Sequence, residues 1–140
     1  MEQKTEVFLQ IRGETDEADS VVEIDTVGFL SEDEYGIYVD YSDDRSGEAF
    51  SRIAISGDVV TLNRIGDIVT TMVFEQGKTF HTIVAATEGA LELDLVTHSV
   101  VTEQTANKIL LKLRYSLEAA GMASNHTLQM VAQKKAEELC

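Results

Sequence analysis

Three glycine-led turns along one apolar stretch constrain this chain more than any other feature. Residues 57–89 read GDVVTLNRIGDIVTTMVFEQGKTFHTIVAATEG, three short β-rich segments separated by Gly57-Asp58, Gly66-Asp67 and Gly77-Lys78. The first central residue of a two-residue type II′ hairpin turn needs positive φ, which glycine reaches without steric cost. Gly57, Gly66, Gly77 and Gly89 fall 9, 11 and 12 positions apart, the spacing of an antiparallel meander. The rest of the chain must extend that meander or cover it.

The flanking sequence extends it. Val7, Leu9 and Ile11 alternate along 5–12, and in 20–30 Val22 and Ile24 share a face opposite Glu23 and Asp25. After a turn at 31–34, Tyr35, Ile37, Val39 and Tyr41 alternate, and 50–56 leads into the first hairpin. Leu91, Leu93 and Leu95 alternate with Glu92 and Asp94. Residues 107–118 admit two readings. Ile109, Leu111, Leu113, Tyr115 and Leu117 keep a period of two, whereas Leu110, Leu113, Leu117 and Ala120 would form a helical stripe. Five positions outweigh four, so a strand is expected. Residues 126–133 read as a last strand, 98–107 as a long loop able to hold a crossover, and 134–140 as a loose tail of helix-forming composition.

That gives nine or ten strands, no helix, and no proline to interrupt a ladder. The expected fold is all-β: one domain over 1–140, a single antiparallel up-and-down meander of about 8–10 strands closed into a barrel, which removes the sheet edges. A two-sheet sandwich is the alternative.

Charge limits the partners. Net charge is −14, and between Glu14 and Glu48 thirteen acids face one base, Arg45. Phosphate backbones are repelled by such a surface, so no nucleic-acid partner is expected, and the acids read as a solubilising face. No N-terminal charged-then-apolar pattern and no apolar run near ~18 residues points to secretion or a membrane span. The single cysteine, Cys140, has no intrachain partner, which fits a reducing cytoplasm.

The run VTLNRIGDIVTTMVFEQGKTF (60–80), followed by TEGALELDLVT (87–97), resembles the YwiB-like bacterial proteins, a family of small barrels grouped with the calycin, or lipocalin-like, superfamily. Arg64, Gly66, Met72, Phe74, Gly77, Gly89, Leu91 and Leu93 carry the resemblance, with YVDYSD (38–43) upstream and Tyr115 and Leu117 downstream. It extends over roughly residues 5–133 and implies a calycin-like barrel; it supplies no substrate. Residues 85–88 (AATE) depart from the family's more aromatic or proline-containing turn.

Two-residue turns fix register and therefore the inward face. Opposing Arg64 to Val69, and Val69 to Ala86, places Ile53, Ile55, Val60, Leu62, Val69, Val73, Phe80 and Val84 on one face with Ser51, Arg64, Thr71 and Thr82. This face is expected to line the interior, leaving Met72 and Phe74 outside. An interior of about eight strands holds packed side chains or one small ligand. Arg64, Ser51, Thr71, Thr82, Phe80 and Tyr115 are the candidate ligand-binding residues. Arg64 would meet an anionic head group, or else snorkel at the rim and pair with an acid such as Glu75 or Glu92.

His81, His98 and His126 lack metal-ligand spacing, the acids at 40–48 lack the spacing of a calcium loop, and no glycine loop cradles phosphate ahead of a helix. No metal, cofactor or catalytic residue is assigned. Three functions stay open: a cytoplasmic barrel binding a small apolar or anionic ligand without catalysis; a filled barrel acting as a protein-interaction module, a homodimer through Met72 and Phe74; and an enzyme of unknown reaction. A wide interior cavity favours the first, and a filled interior with an exposed outer apolar patch favours the second.

Overall fold

The computed structural model describes residues 4–16, 21–42, 49–66, 68–86 and 89–135. They form ten strands: β1 Thr5–Thr15, β2 Val21–Asp33, β3 Gly36–Tyr41, β4 Phe50–Ser56, β5 Val59–Ile65, β6 Ile68–Glu75, β7 Thr79–Ala86, β8 Gly89–Gln104, β9 Lys108–Ala119 and β10 Met122–Lys134. Each pairs antiparallel with its sequence neighbour, and β1 pairs with β10 to close the barrel. The last tail residues, 136–140, lie outside the described residues.

Within 107–118 all but Asn107 lie in a strand, β9, as their period of two requires, with Ile109, Leu111 and Leu113 buried inside. The expected loop at 98–107 is instead mostly strand. A bulge between Thr97 and Ser99 takes up His98 without a partner on β9. It moves the inward position from Thr97 to Val100 rather than Ser99, which breaks the alternation from which a strand is read. The expected turn at 31–34 likewise gives way: β2 runs to Asp33, which pairs with Gly36 around Glu34-Tyr35.

Register decides what faces inward. Around Gly57-Asp58, Ser56 pairs with Val59, and φ is positive at Gly57 (60°) but not at Asp58, the type II′ pattern. The next two turns each differ by one residue from expectation. Arg64 opposes Thr70 rather than Val69. At the third turn, the Lys78 amide donates to the Glu75 carbonyl at 3.0 Å, so Gln76-Gly77 is the central pair, and Val69 opposes Ala85 rather than Ala86.

A one-residue slip turns a strand over, because side chains alternate with period two. The first slip reverses β6 and the second restores β7. Phe74 is therefore 0% exposed inside the barrel, and Met72 packs against the core; the expected outer surface at Met72 and Phe74 does not exist. Thr71 and Val69, expected inside, are exposed outside.

The β9–β10 turn is Ala120-Gly121, with φ of 52° and 80° between paired Ala119 and Met122. Two positive φ values make it type I′, the turn whose twist matches the flanking strands.

Val7, Leu9, Val39, Val60, Phe74, Leu95, Leu111 and Met130 are each at most 1% exposed and belong to one continuous cluster. No water-sized void touches these side chains. The middle of the barrel is packed solid, as protein interiors are.

Candidate functional site

The residues named from sequence disperse over this framework. Ser51 and Thr82 are buried and point inward, but Thr82 already donates its hydroxyl hydrogen to the Thr71 carbonyl. Phe80 is half-buried on the inner face of β7. Arg64 is on the inner face of β5 near its end, and its guanidinium donates to the Ile68 carbonyl at 3.4 Å. Thr71 donates to Asn63 Oδ1 on the outer wall at 2.7 Å, too far round the strand to meet an interior ligand. Tyr115 lies inside, with its ring edge-on to Phe74 (5.0 Å) and stacked on His126 (5.2 Å); burial raises its phenol pKa. These six residues do not converge on one site.

Two other places do gather functional groups. The first is a polar cleft of about 720 Å³ where β1 ends beside β8–β10, lined among others by Asp16, His98, Arg114, Tyr115, Asn125 and His126. The Asn125 backbone amide donates to Asp16 Oδ1 at 3.0 Å and its side-chain amide to Oδ2 at 2.8 Å. These two bonds, the backbone one foremost, hold the Asp16 carboxyl below its usual pKa. Ser116 Oγ lies 2.6 Å from Asn125 Oδ1, and His98 Nε2 lies 2.7 Å from Ser116 Oγ.

The proton positions along this chain follow from its acid end. An ionised carboxylate only accepts, so Asn125 must turn its NH₂ to Asp16 and its carbonyl to Ser116. Ser116 must then donate to Asn125 and accept from His98 Nε2–H. A nucleophilic serine needs the opposite, a histidine lone pair facing its hydroxyl. The Ser116–His98 pair is therefore a structural relay that orients the imidazole, and its Ser-His adjacency is not a catalytic dyad.

The second place is an apolar groove of about 790 Å³ on the outer wall over β2–β5, bounded by Val27, Phe29, Phe50 and Ile65. They are 39%, 45%, 52% and 57% exposed. Phe8, 53% exposed, pairs directly with Val27 and extends the patch onto β1. In the groove Arg52 grips Asp40 with two bonds of 2.6 and 3.0 Å, lies over the Tyr38 ring at 4.9 Å, and leaves Lys4 3.8 Å from the same carboxylate.

Sequence reading misses both places for the same reason. Asp16 and Asn125 are 109 positions apart, and β2 and β5 become one wall only through the strands between them. The period-two pattern did hold one clue: Phe8, Val27, Phe29, Phe50 and Ile65 stand at outward positions where polar residues are the rule.

A family model described as Domain of unknown function (DUF1934) matches residues 8–130. Among solved structures, the ywiB protein from Bacillus subtilis is similar, with a TM-score of 0.80 and 19% identity over 96% of this chain and 94% of that one. At that identity the likeness speaks for the fold. No curated protein matches. A ten-strand closed meander and a model match over most of the chain give one conclusion: this protein is a YwiB-like β-barrel and belongs to the DUF1934 family.

Proposed function

We propose that this barrel is a non-catalytic interaction module that docks a second copy of itself through the apolar groove of its outer wall. One observation carries the reading: large apolar side chains gather outside, around the 790 Å³ groove, while the centre is closed to water. Exposed contiguous apolar surface of this kind marks association sites, and aromatic residues dominate the energetics of such sites. A ligand inside the barrel would instead have to displace side chains such as Phe74 and Leu111, both 0% exposed.

A second copy fits the electrostatics. Two chains of −14 repel, but at physiological ionic strength the Debye length is about 8 Å, so only charges near the contact count. Within the groove the charged side chains are Asp40, Arg52 and Lys4, and Asp40 takes both cations, so no more than about one net charge faces the contact. Closed twofold pairing of one self-complementary surface is the commonest soluble assembly.

Sedimentation velocity across a concentration range tests this. The wild-type chain should form a dimer, and Phe29→Asp or Phe50→Asp should leave a folded monomer with unchanged far-UV circular dichroism. A wild-type monomer at every accessible concentration, or a dimer indifferent to both substitutions, overturns the proposal.

A further inference from the structure

We infer that the polar cleft at the end of β1 is a binding site for a phosphate that keeps a proton at neutral pH, as inorganic phosphate does. The inference is independent of the dimer.

The cation comes first. Arg114 is exposed in the cleft, and its guanidinium makes no hydrogen bond or ion pair among the described residues. The neighbouring acids are engaged elsewhere: Asp16 with Asn125, and Glu14 with Arg12 Nε at 2.8 Å. A planar guanidinium with its donors uncommitted suits a phosphate oxygen pair. Thr127, paired with Arg114 on β10 and lining the same cleft, adds a hydroxyl.

The acceptor comes from the bulge. His98 is the extra residue between Thr97 and Ser99, and Ser99 pairs with Arg114. His98 follows the inward Thr97 and so faces outward; without the bulge Ser99 would turn inward, and with it Ser99 joins the imidazole on the wall that carries Arg114. Bulges re-aim side chains in this way. The relay from Asp16 fixes the neutral ring with its proton on Nε2, so Nδ1 offers a lone pair and has no partner among the described residues. A bare carboxylate or sulfate oxygen is repelled by that lone pair. A protonated phosphate donates to it while its other oxygens accept from Arg114. The chain's overall negative charge does not forbid this, because charges farther than about 8 Å are largely screened.

Nuclear magnetic resonance of the full chain at neutral pH and fixed ionic strength tests the site, with inorganic phosphate as probe and sulfate and acetate as controls. The His98 ring nitrogens should report the Nε2–H tautomer. Phosphate should shift the His98 and Arg114 side-chain signals saturably, and more tightly than either control. Arg114→Gln should weaken phosphate at least about tenfold. His98→Ala should abolish the preference over sulfate, and Glu14→Gln, which removes a competing anion, should strengthen binding. Equal phosphate and sulfate affinity in the wild type, a Nδ1–H tautomer, or phosphate binding unchanged in Arg114→Gln overturns the inference. Both arginine and glutamate positions are exposed, and unchanged thermal melts would show that the variants remain folded.

Discussion

Replacing Phe74 by alanine tests the register on which the interior rests. The ring is 0% exposed and meets Tyr115 edge-on at 5.0 Å. Truncating a fully buried phenylalanine costs about 3–5 kcal/mol through lost transfer energy and the cavity left behind. The edge-to-face pair, worth about 0.5–1.5 kcal/mol beyond its area, places this site toward the upper end. For a chain of this size the melting temperature should fall by about 10–20 °C. Val69→Ala is the internal control: it removes two methyl groups from a side chain 45% exposed on the outer wall, and should cost less than about 1 kcal/mol. Urea denaturation of both variants, with m held equal to wild type, gives the two numbers. Had the Gly66-Asp67 connection been a two-residue turn, β6 would present its other face and the order would invert. A Phe74→Ala cost below about 1 kcal/mol, or one smaller than that of Val69→Ala, would refute the one-residue slip and the filled interior together.

Two further outcomes follow from local geometry. Ala120 holds φ at 52° in the type I′ turn, a conformation costing an L-residue roughly 1–2 kcal/mol; Ala120→Asn, giving the favoured Asn-Gly pair, should raise stability by about 1 kcal/mol in urea, and a loss would argue against that turn. His81 stands between Asp94 (2.9 Å) and Glu92 (3.0 Å) and, when protonated, donates to both carboxylates; the Asp94 bond foremost raises its pKa above the ordinary 6.5. Its folded pKa exceeds its unfolded one, so its contribution to stability is fully present below pH 6.5 and is lost as pH rises through the folded value. The His81 ring titration should therefore have a midpoint above 6.5 that falls in Asp94→Asn; a midpoint unmoved by that change would show that the acid does not hold the ring.

The amino-acid sequence by itself determined most of the strands and their antiparallel order, because period-two alternation and glycine at positive φ are local properties; the pairing of β1 with β10 that closes the barrel over a two-sheet sandwich belongs to the tertiary structure. The sequence also settled 107–118, where five inward apolar side chains outnumber the helical stripe. It did not determine which face of β6 turns inward: Arg64 opposes Thr70 rather than Val69, and that register brings Phe74 against Tyr115, which is 41 positions away. Nor did it reveal the His98 bulge, the Asp16–Asn125 contact, or the meeting of Phe8 and Val27 with Phe29, Phe50 and Ile65. Those depend on which strands become neighbours and at what stagger, and only closing the barrel brings residues so distant in the chain within contact.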